Sequence, residues 1–265
     1  PYDEHTGKGV LRHIIGRIGQ SGWMIILITA TEQLPHKEKW VEKLTERIPQ
    51  VETIVHNVNG KRTNVILGPK NNILYGDGTI TDHIKDLQFT LSPHSFFQVN
   101  PEQTTVLYDQ ALAYADLKGD ETVIDAYCGT GTISLFLAHK AKHVIGIEIV
   151  EPAIINAREN ARRNGYDNTE FIVADAAVEM PKLYKAGVRP DVIVFDPIRA
   201  GCKEEVLTSA AGMEPKRIVY VSCNPATMAR DIEILTHYGY ELQEVQPVDM
   251  FPMTAHVEAV ALLTK

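Results

Sequence analysis

A regular alternation of short apolar runs and helical segments beyond about residue 92 most constrains the fold of this chain. The runs are rich in Val and Ile, which is typical of strands buried on both faces. Repeated strand–helix units require a mostly parallel sheet with helices on both sides, so the sequence predicts an α/β domain. The predicted strands are residues 122–125, 143–147, 171–173, 191–195 and 217–221, with two more near the C-terminal end.

Residues 1–92 have a different pattern, with short β-branched runs around one amphipathic helix. The helix carries Trp40 and Leu44 on an apolar face opposite Lys and Glu side chains. We therefore expect a small α+β domain, with antiparallel strands, over residues 1–92 and a separate domain over residues 93–265. The predicted elements of the first domain are strands at 22–29, 51–58 and 64–67 and a helix at 36–48.

Composition places the chain among soluble globular proteins, with 44% hydrophobic and 23% charged residues. The longest apolar run, residues 23–30, is too short to cross a bilayer, and no signal peptide precedes it. We therefore expect a cytoplasmic protein that has no membrane partner. The chain begins at Pro1 rather than at a methionine, so we also expect a fragment of a longer protein.

The three cysteines, Cys128, Cys202 and Cys223, are too few for a disulfide framework. No two of them form a C-x-x-C pair, so we expect no metal site. Cys128 lies in a turn and Cys202 in a loop, and we expect both to be small buried residues without a catalytic role.

The net charge of −8 argues against a nucleic-acid-binding protein, which usually carries a basic surface. The charge is unevenly distributed. Residues 1–92 hold 11 basic and 10 acidic side chains, which leaves 15 basic and 24 acidic side chains for the remainder. If nucleic acid is the substrate, local patches or a further segment must provide the phosphate contacts.

Acidic residues lie at the ends of three successive predicted strands: Asp125, Glu148 and Asp175. Between Asp125 and the next helix, Gly129 and Gly131 let the backbone pass close to a ligand. The carboxyl ends of parallel strands meet in one crevice, where open α/β sheets bind their ligands. There Glu148 can accept both ribose hydroxyls and Asp175 can meet an adenine amino group, so the set predicts a nucleoside site.

Two other interpretations of these acidic residues remain. Each carboxylate could cap the N-terminus of the helix that follows it. The set could also bind NAD, but the glycine-rich turn lacks the third glycine of the dinucleotide pattern. That absence favours a nucleoside ligand without a pyrophosphate, such as S-adenosylmethionine.

A cysteine and a carboxylate in the last third of the chain are candidates for chemistry. Cys223 follows the predicted strand at 217–221, on the rim where loops carry function. Glu258 has the chemistry of a general base, and a solvent-exposed strand carboxylate is an equally supported interpretation. A reactive thiol must ionise, so we expect a positioned basic group or a helix N-terminus, with the helix after Pro225 as the first candidate, to lower the pKa of Cys223.

Five motifs occur in a fixed order from about residue 92 to the end of the chain. They are Phe96-Phe97-Gln98-Val99-Asn100, Asp125-x-x-Cys128-Gly129-x-Gly131-Thr132, Asp196-Pro197-x-Arg199-x-Gly201, Ser222-Cys223-Asn224-Pro225 and His256-Val257-Glu258. Together they resemble the RNA uracil-5 methyltransferase family, which forms 5-methyluridine in tRNA and 23S rRNA. One departure is Ile198, which stands where the family usually has a second proline.

The resemblance implies a Rossmann-like class I methyltransferase domain with S-adenosyl-L-methionine as its cofactor. It also implies that Cys223 is the nucleophile and Glu258 the base. The residues expected to line the cofactor and target pocket are Gln98, Tyr127, Gly129, Gly131, Glu148, Asp196 and, for the adenine, Asp175.

A uridine in RNA is the substrate that the resemblance implies, in 23S rRNA first and in tRNA as the second candidate. Family members usually carry an N-terminal RNA-binding barrel that this sequence lacks, so residues 1–92 correspond to the family's central domain and are expected to contact RNA. We expect a monomer. The alternatives are an RNA cytosine-5 methyltransferase, a small-molecule methyltransferase without a covalent step, and a non-catalytic remnant that binds S-adenosylmethionine or RNA.

Overall fold

The computed structural model describes all residues from Pro1 to Lys265 and divides them into two compact units. The first unit comprises Pro1–His83 and Gln88–Ser95, and the second comprises Ile84–Leu87 and Phe96–Lys265.

None of the helices combines the length and the apolar character that crossing a membrane requires. In chain order the elements are β1 (Leu11–Ile18), β2 (Trp23–Thr29), α1 (Lys37–Arg47), β3 (Val51–Val58), β4 (Lys70–Tyr75), β5 (Ile80–Ile84), β6 (Leu87–Leu91), α2 (Pro101–Ala115), β7 (Thr122–Asp125), α3 (Thr132–Ala138), β8 (His143–Glu148), α4 (Glu151–Arg163), β9 (Thr169–Val173), α5 (Ala176–Lys185), β10 (Val192–Phe195), α6 (Glu204–Met213), β11 (Arg217–Ser222), α7 (Pro225–Thr236), β12 (Glu241–Val248) and β13 (Glu258–Thr264).

The first unit is built on a four-stranded sheet in the order β1-β2-β3-β4. The apolar face of α1, including Trp40 and Leu44, packs on buried residues of β2 and β3 such as Leu27 and Ile54. The predicted helix and its apolar face are therefore confirmed. Burial of this face, rather than helix propensity, stabilises an eleven-residue helix such as α1.

Two expectations for the first unit are wrong. Strands β2 and β3 pair in parallel, because α1 connects them as a crossover, whereas the other two pairings are antiparallel. Residues 64–67 form no strand. The side-chain amide of Asn59 instead donates to the carbonyl oxygens of Val65 (2.7 Å) and Ile66 (3.0 Å), which takes those groups out of any sheet.

The second unit contains a seven-stranded sheet in the order β12-β13-β11-β10-β7-β8-β9. Strands β11, β10, β7, β8 and β9 are parallel, and β13 and β12 continue the sheet antiparallel at one side. Every residue of β10 is buried, as expected for a strand covered on both faces. The predicted α/β fold with a mostly parallel sheet is confirmed.

The strand order reverses between β7 and β10, since the chain moves outward through β8 and β9 and then returns to β10. At such a reversal the loops of the two neighbouring strands diverge, and a crevice opens at the carboxyl ends of the strands. The candidate site residues of the second unit lie at this edge.

Candidate functional site

The site is assembled from four parallel strands whose carboxyl ends meet at one edge of the sheet. Asp125 ends β7, Glu148 ends β8, Asp196 follows β10 and Cys223 follows β11. Glu258 begins β13, which runs antiparallel to β11 and therefore starts at the same edge. Residues far apart in sequence thus meet because the strands are parallel, as the motif spacing predicts.

The glycine-rich turn after β7 leaves space beside its backbone. Gly129 has a φ of +55°, and a Cβ built on it would meet no atom within 4 Å. Its amide donates to Oε2 of Glu148 over 3.3 Å, while the amide of Val150 donates to Oε1 over 2.8 Å. Glu148 is therefore held beside the turn with its carboxylate half-buried.

Asp125 is fully buried beneath the same turn. Its Oδ2 accepts a hydrogen bond from the hydroxyl of Ser134 at 2.6 Å, and Oδ1 has no partner of normal geometry. Burial raises the pKa of Asp125 to about 6, although the hydrogen bonds from Ser134 and the backbone of Tyr127 oppose that rise. A buried acceptor without a full set of donors is the kind of group that a bound polar ligand satisfies.

The helix-cap interpretation is correct for one of the three acidic residues. Asp175 is the N-cap of α5 and accepts a hydrogen bond from the amide of Ala177 at 2.9 Å. It also forms an ion pair with Lys203 at 2.8 Å, and this bond and the cap lower its pKa. The N-cap positions of α3 and α4 are occupied by Gly131 and Val150 rather than by Asp125 or Glu148.

Charged groups from the loop after β10 and from the start of β13 lie around Cys223. Asn224, the next residue, donates to the carbonyl oxygen of Arg199 at 3.0 Å, and Ser222 pairs with Ala259, which follows Glu258. Arg199 lowers the pKa of the thiol, whereas Glu258 and Asp196 raise it. Arg199 also contacts Nδ1 of His256 through its Nη2, at 2.9 Å. A half-buried thiol, a cation and a carboxyl group therefore share one corner of the sheet edge.

Glu258 is only 4% exposed, so its interpretation as a solvent-exposed strand carboxylate is wrong. Burial raises the pKa of Glu258 to about 7, and the positive charge of Arg199 limits that rise. A carboxyl group with such a pKa exchanges protons efficiently near neutral pH. The pKa of Asp196 is also raised, by burial and then by the charges of Glu258 and Asp125.

The pKa of Cys223 is raised rather than lowered as expected, although one of the two expected groups, a basic side chain, is present. Burial and the negative charge of Glu258 raise the pKa of this thiol, and Arg199 is the group that opposes them. The first turn of α7 is occupied locally, because the side chain of Asn224 accepts a hydrogen bond from the amide of Ala226 at 3.2 Å. Ionisation of Cys223 is therefore favoured by a neighbouring cationic side chain, Arg199.

The remaining expected pocket residues lie in the same unit. Gln98 is buried in the segment before α2, and Tyr127 packs on the core below the glycine-rich turn. The hydroxyl of Tyr127 faces the thiol of Cys202, and burial raises the pKa of this tyrosine. Cys128 and Cys202 are both buried, with raised pKa values that make them poor nucleophiles.

The sequence predicts no role for Arg199, although this residue belongs to the motif Asp196-Pro197-x-Arg199-x-Gly201. Its position beside Cys223 depends on contacts from α7: the side chains of Asn224 and Thr227 both donate to the carbonyl oxygen of Arg199, at 3.0 and 3.1 Å. No local pattern in the sequence indicates this partner, so the contact is visible only in the structure.

A family model described as tRNA (uracil-5-)-methyltransferase matches residues 24–265. An uncharacterized RNA methyltransferase of Halalkalibacterium halodurans is 57% identical over 264 residues, which is 99% of this chain and 58% of that protein. An uncharacterized RNA methyltransferase of Clostridium acetobutylicum is 53% identical over 268 residues, or 100% of this chain and 58% of that protein. The chain thus spans less than two thirds of the length of these relatives.

Two solved structures are also similar to this chain. The tRNA (uracil-54, C5)-methyltransferase of Pyrococcus abyssi, in complex with S-adenosyl-L-homocysteine, matches with a TM-score of 0.79 and 30% identity over 97% of this chain and 60% of that chain. A chain of Streptococcus mutans described as a SAM-dependent methyltransferase matches with a TM-score of 0.62 and 12% identity, over 91% of this chain and 69% of that chain. The second likeness concerns the fold alone. Because the family model covers most of its length, the chain belongs to the tRNA (uracil-5-)-methyltransferase family.

Proposed function

We propose that this chain transfers a methyl group from S-adenosyl-L-methionine to C5 of a uridine in RNA through a covalent bond between Cys223 and C6. The observation that carries the proposal is that Cys223, Arg199 and Glu258 lie at one edge of the sheet, where Ser222 pairs with Ala259 and Asn224 donates to the carbonyl oxygen of Arg199. A nucleophile, a cation and a base at one strand edge are the groups that addition to a pyrimidine ring requires.

The glycine-rich turn and its surroundings fit the cofactor. The open space beside Gly129, the carboxylate of Glu148 and the unsatisfied oxygen of Asp125 can receive the ribose and amino acid parts of the molecule. Asp175, Gln98 and Tyr127 remain proposed contacts, with the ion pair of Asp175 to Lys203 as a competitor for its carboxylate. When bound, the cofactor would supply an electrophilic methyl group on a sulfonium, and the S–CH3 bond would break to leave the neutral thioether S-adenosyl-L-homocysteine.

In the first step the thiolate of Cys223 adds to C6 of the uracil ring. A carbon–sulfur bond forms, and the electron pair of the C5–C6 double bond moves toward C5 and the O4 carbonyl. C5 becomes nucleophilic enough to take the methyl group. Arg199 favours the thiolate electrostatically, and Asp196, whose raised pKa favours its protonated form, can donate a hydrogen bond to the ring oxygen that gains charge.

In the second step the C5 atom carries both the new methyl group and its original hydrogen. The carboxylate of Glu258 removes that proton, the C5–C6 double bond re-forms, and the thiolate of Cys223 leaves. A carboxyl group with a pKa of about 7 is suited to this transfer, because it is partly ionised near neutral pH and still basic enough to accept a proton.

The RNA substrate can be identified with labelled cofactor and purified RNA from cells that lack the gene. We expect the full-length enzyme to label 23S rRNA or tRNA, and nucleoside digestion to recover the label as 5-methyluridine. The relationship to the Pyrococcus tRNA enzyme supports including tRNA as a substrate. The Cys223→Ala variant should give no label. Label recovered as 5-methylcytidine, or methylation by the Cys223→Ala variant, would refute the proposal.

A further inference from the structure

A carboxylate on α7, outside the proposed reaction, is completely buried. Asp231 is 0% exposed and receives hydrogen bonds on both oxygens. Oδ2 accepts from the hydroxyl of Tyr220 (2.5 Å) and the amide of Cys202 (2.7 Å), and Oδ1 accepts from Nε and Nη2 of Arg230 (2.8 and 2.6 Å). Burying an ionised carboxylate costs free energy unless hydrogen-bond donors replace the lost water. The four donor atoms around Asp231 replace that water.

The same groups hold the backbone of the loop that carries Arg199. Nη2 of Arg230 donates to the carbonyl oxygens of Ala200 (2.9 Å) and Cys202 (3.3 Å), while Asp231 accepts the amide of Cys202. Since the guanidinium is a rigid planar fork, it can bridge the carboxylate and the loop carbonyls at once. The loop is thus fixed from both its amide and its carbonyl groups.

A glycine is required for this close approach. Gly201 has a φ of +78°, and a Cβ built on it would lie 2.5 Å from Oδ2 of Asp231 and 2.6 Å from Nη2 of Arg230. Any side chain at this position would push the loop away from α7. The glycine of the Asp196-Pro197-x-Arg199-x-Gly201 motif therefore belongs to the same arrangement as Asp231.

We propose that Asp231 and Arg230 form a clasp on the loop from Arg199 to Cys202, and that this clasp positions the guanidinium of Arg199 beside the thiol of Cys223. Asp231 and Arg230 touch no proposed reacting atom, so they act as positioning residues. The clasp extends the proposed function, because it assigns to these residues the control of thiolate formation at the nucleophile.

The electrostatics at Cys223 explain why placement of Arg199 matters. The charged and titratable groups that act on the thiol are Arg199 from the loop after β10, Asp196 from the same loop, and Glu258 from β13, with His256 in contact with Arg199. Arg199 is the one cation in this set that lowers the pKa of the thiol. Displacement of its side chain leaves burial and the carboxylate of Glu258 to oppose ionisation of the thiol.

The test is the pH dependence of iodoacetamide alkylation at Cys223, located by peptide mass mapping in the full-length enzyme. Asp231→Asn should shift the profile of Cys223 upward by about one pH unit, which reduces its thiolate fraction, and hence its alkylation near neutral pH, about tenfold. Arg199→Gln should give a similar upward shift. The double variant, Asp231→Asn with Arg199→Gln, should shift the profile little further, because both substitutions act through the guanidinium of Arg199. The control is Glu233→Gln, which makes the same chemical change at an exposed position of α7 and should leave the profile unchanged.

A second variant covers the case in which Asp231→Asn fails to fold. Arg230→Lys keeps the charge at a largely solvent-exposed position but removes the fork that joins Asp231 to the loop, and it should also shift the profile upward. An unchanged profile in a folded Asp231→Asn or Arg230→Lys variant would overturn the clasp, as would additive shifts in the double variant. Alkylation needs neither RNA nor cofactor, so the clasp can stand if uridine methylation fails, and it can fail while methylation stands.

Discussion

At the scale of single residues, the carboxylate of Glu148 is the most direct test of the cofactor site. It lies beside the open turn at Gly129 and accepts two backbone amides. We expect Glu148→Ala to weaken S-adenosylmethionine binding by about 1–3 kcal/mol in calorimetry, since the ribose hydroxyls would lose their acceptor. Glu151→Ala, a neighbouring exposed carboxylate in the first turn of α4, is the matched control and should bind normally. Equal affinity in both variants would remove Glu148 from the site.

The pH dependence of methylation follows from two groups that must both lose a proton. Glu258 acts as a base only when ionised, and its pKa is raised to about 7. The pKa of Cys223 is also raised, and its thiolate is the nucleophile. We therefore expect kcat/KM to rise with pH through about 7 and to keep rising as the thiol ionises. A rate that falls between about pH 6 and 8 would contradict these assignments.

At the scale of elements, strand β8 depends on a glycine for its packing in the sheet. A Cβ built on Gly146 would lie 2.6 Å from Cδ1 of Phe171 and 3.0 Å from Sγ of Cys128. We expect Gly146→Ala to destabilise the protein by about 1–3 kcal/mol through overpacking, visible as a lower midpoint of urea denaturation. Gly16→Ala in β1, where a Cβ would meet nothing within 4 Å, is the control. Equal midpoints would show that β8 tolerates the extra methyl group.

The elements that sequence reasoning predicted well are the ones with a continuous apolar run or a clear helical face. Strand β7 and strand β3 have the predicted bounds, because both are rich in the β-branched residues Val, Ile and Thr that favour strands. Helices α5 and α6 were not predicted. Pro181 lies inside α5 and weakens its helical signal, and α6 is rich in small residues. The run at 64–67 has the pattern of a strand, and no local pattern shows that Asn59 binds the carbonyl groups of Val65 and Ile66.

The sequence predicts those residues of the candidate site that lie at the ends of strands. Parallel strands bring their carboxyl ends together, so Asp125, Glu148 and Cys223 could be placed on one edge from the sequence. Two features required the three-dimensional structure: the burial of Glu258, which raises its pKa, and the attachment of the Arg199 loop to Asn224 and Thr227 beside Cys223. Both arise from tertiary packing of segments with no local signal.

At the scale of the whole molecule, the net charge of −8 limits how this chain can bind RNA. The balance is +1 over residues 1–92, against −9 for the remainder, so we propose that the first region provides phosphate contacts. Arg17 is a candidate, because its guanidinium donates to the carbonyl oxygen of Ser95 at 2.5 Å and pairs with no carboxylate. RNA binding by this chain alone should be weak and should fall steeply as salt rises.

A filter-binding series at increasing salt tests this expectation. Arg17→Gln should reduce the slope of log affinity against log salt by about one, as the loss of one phosphate contact requires. The control is Lys70→Gln, because the ion pair with Glu32 already neutralises that lysine. Tight binding that ignores salt would show that the chain recognises RNA by other means.

The covalent bond between Cys223 and RNA is the central claim, and removal of the base tests it most directly. In the Glu258→Gln enzyme the C5 proton stays in place after methyl transfer, so the thiolate cannot leave and RNA should remain bonded to Cys223. Loss of a general base costs about 10²–10⁴ in rate, which is slow enough for the adduct to survive denaturing electrophoresis. With full-length enzyme, labelled cofactor and RNA, the account predicts a slowly migrating labelled band for Glu258→Gln that the additional change Cys223→Ala abolishes. Normal turnover by Glu258→Gln without that band, or methylation by Cys223→Ala, would contradict it.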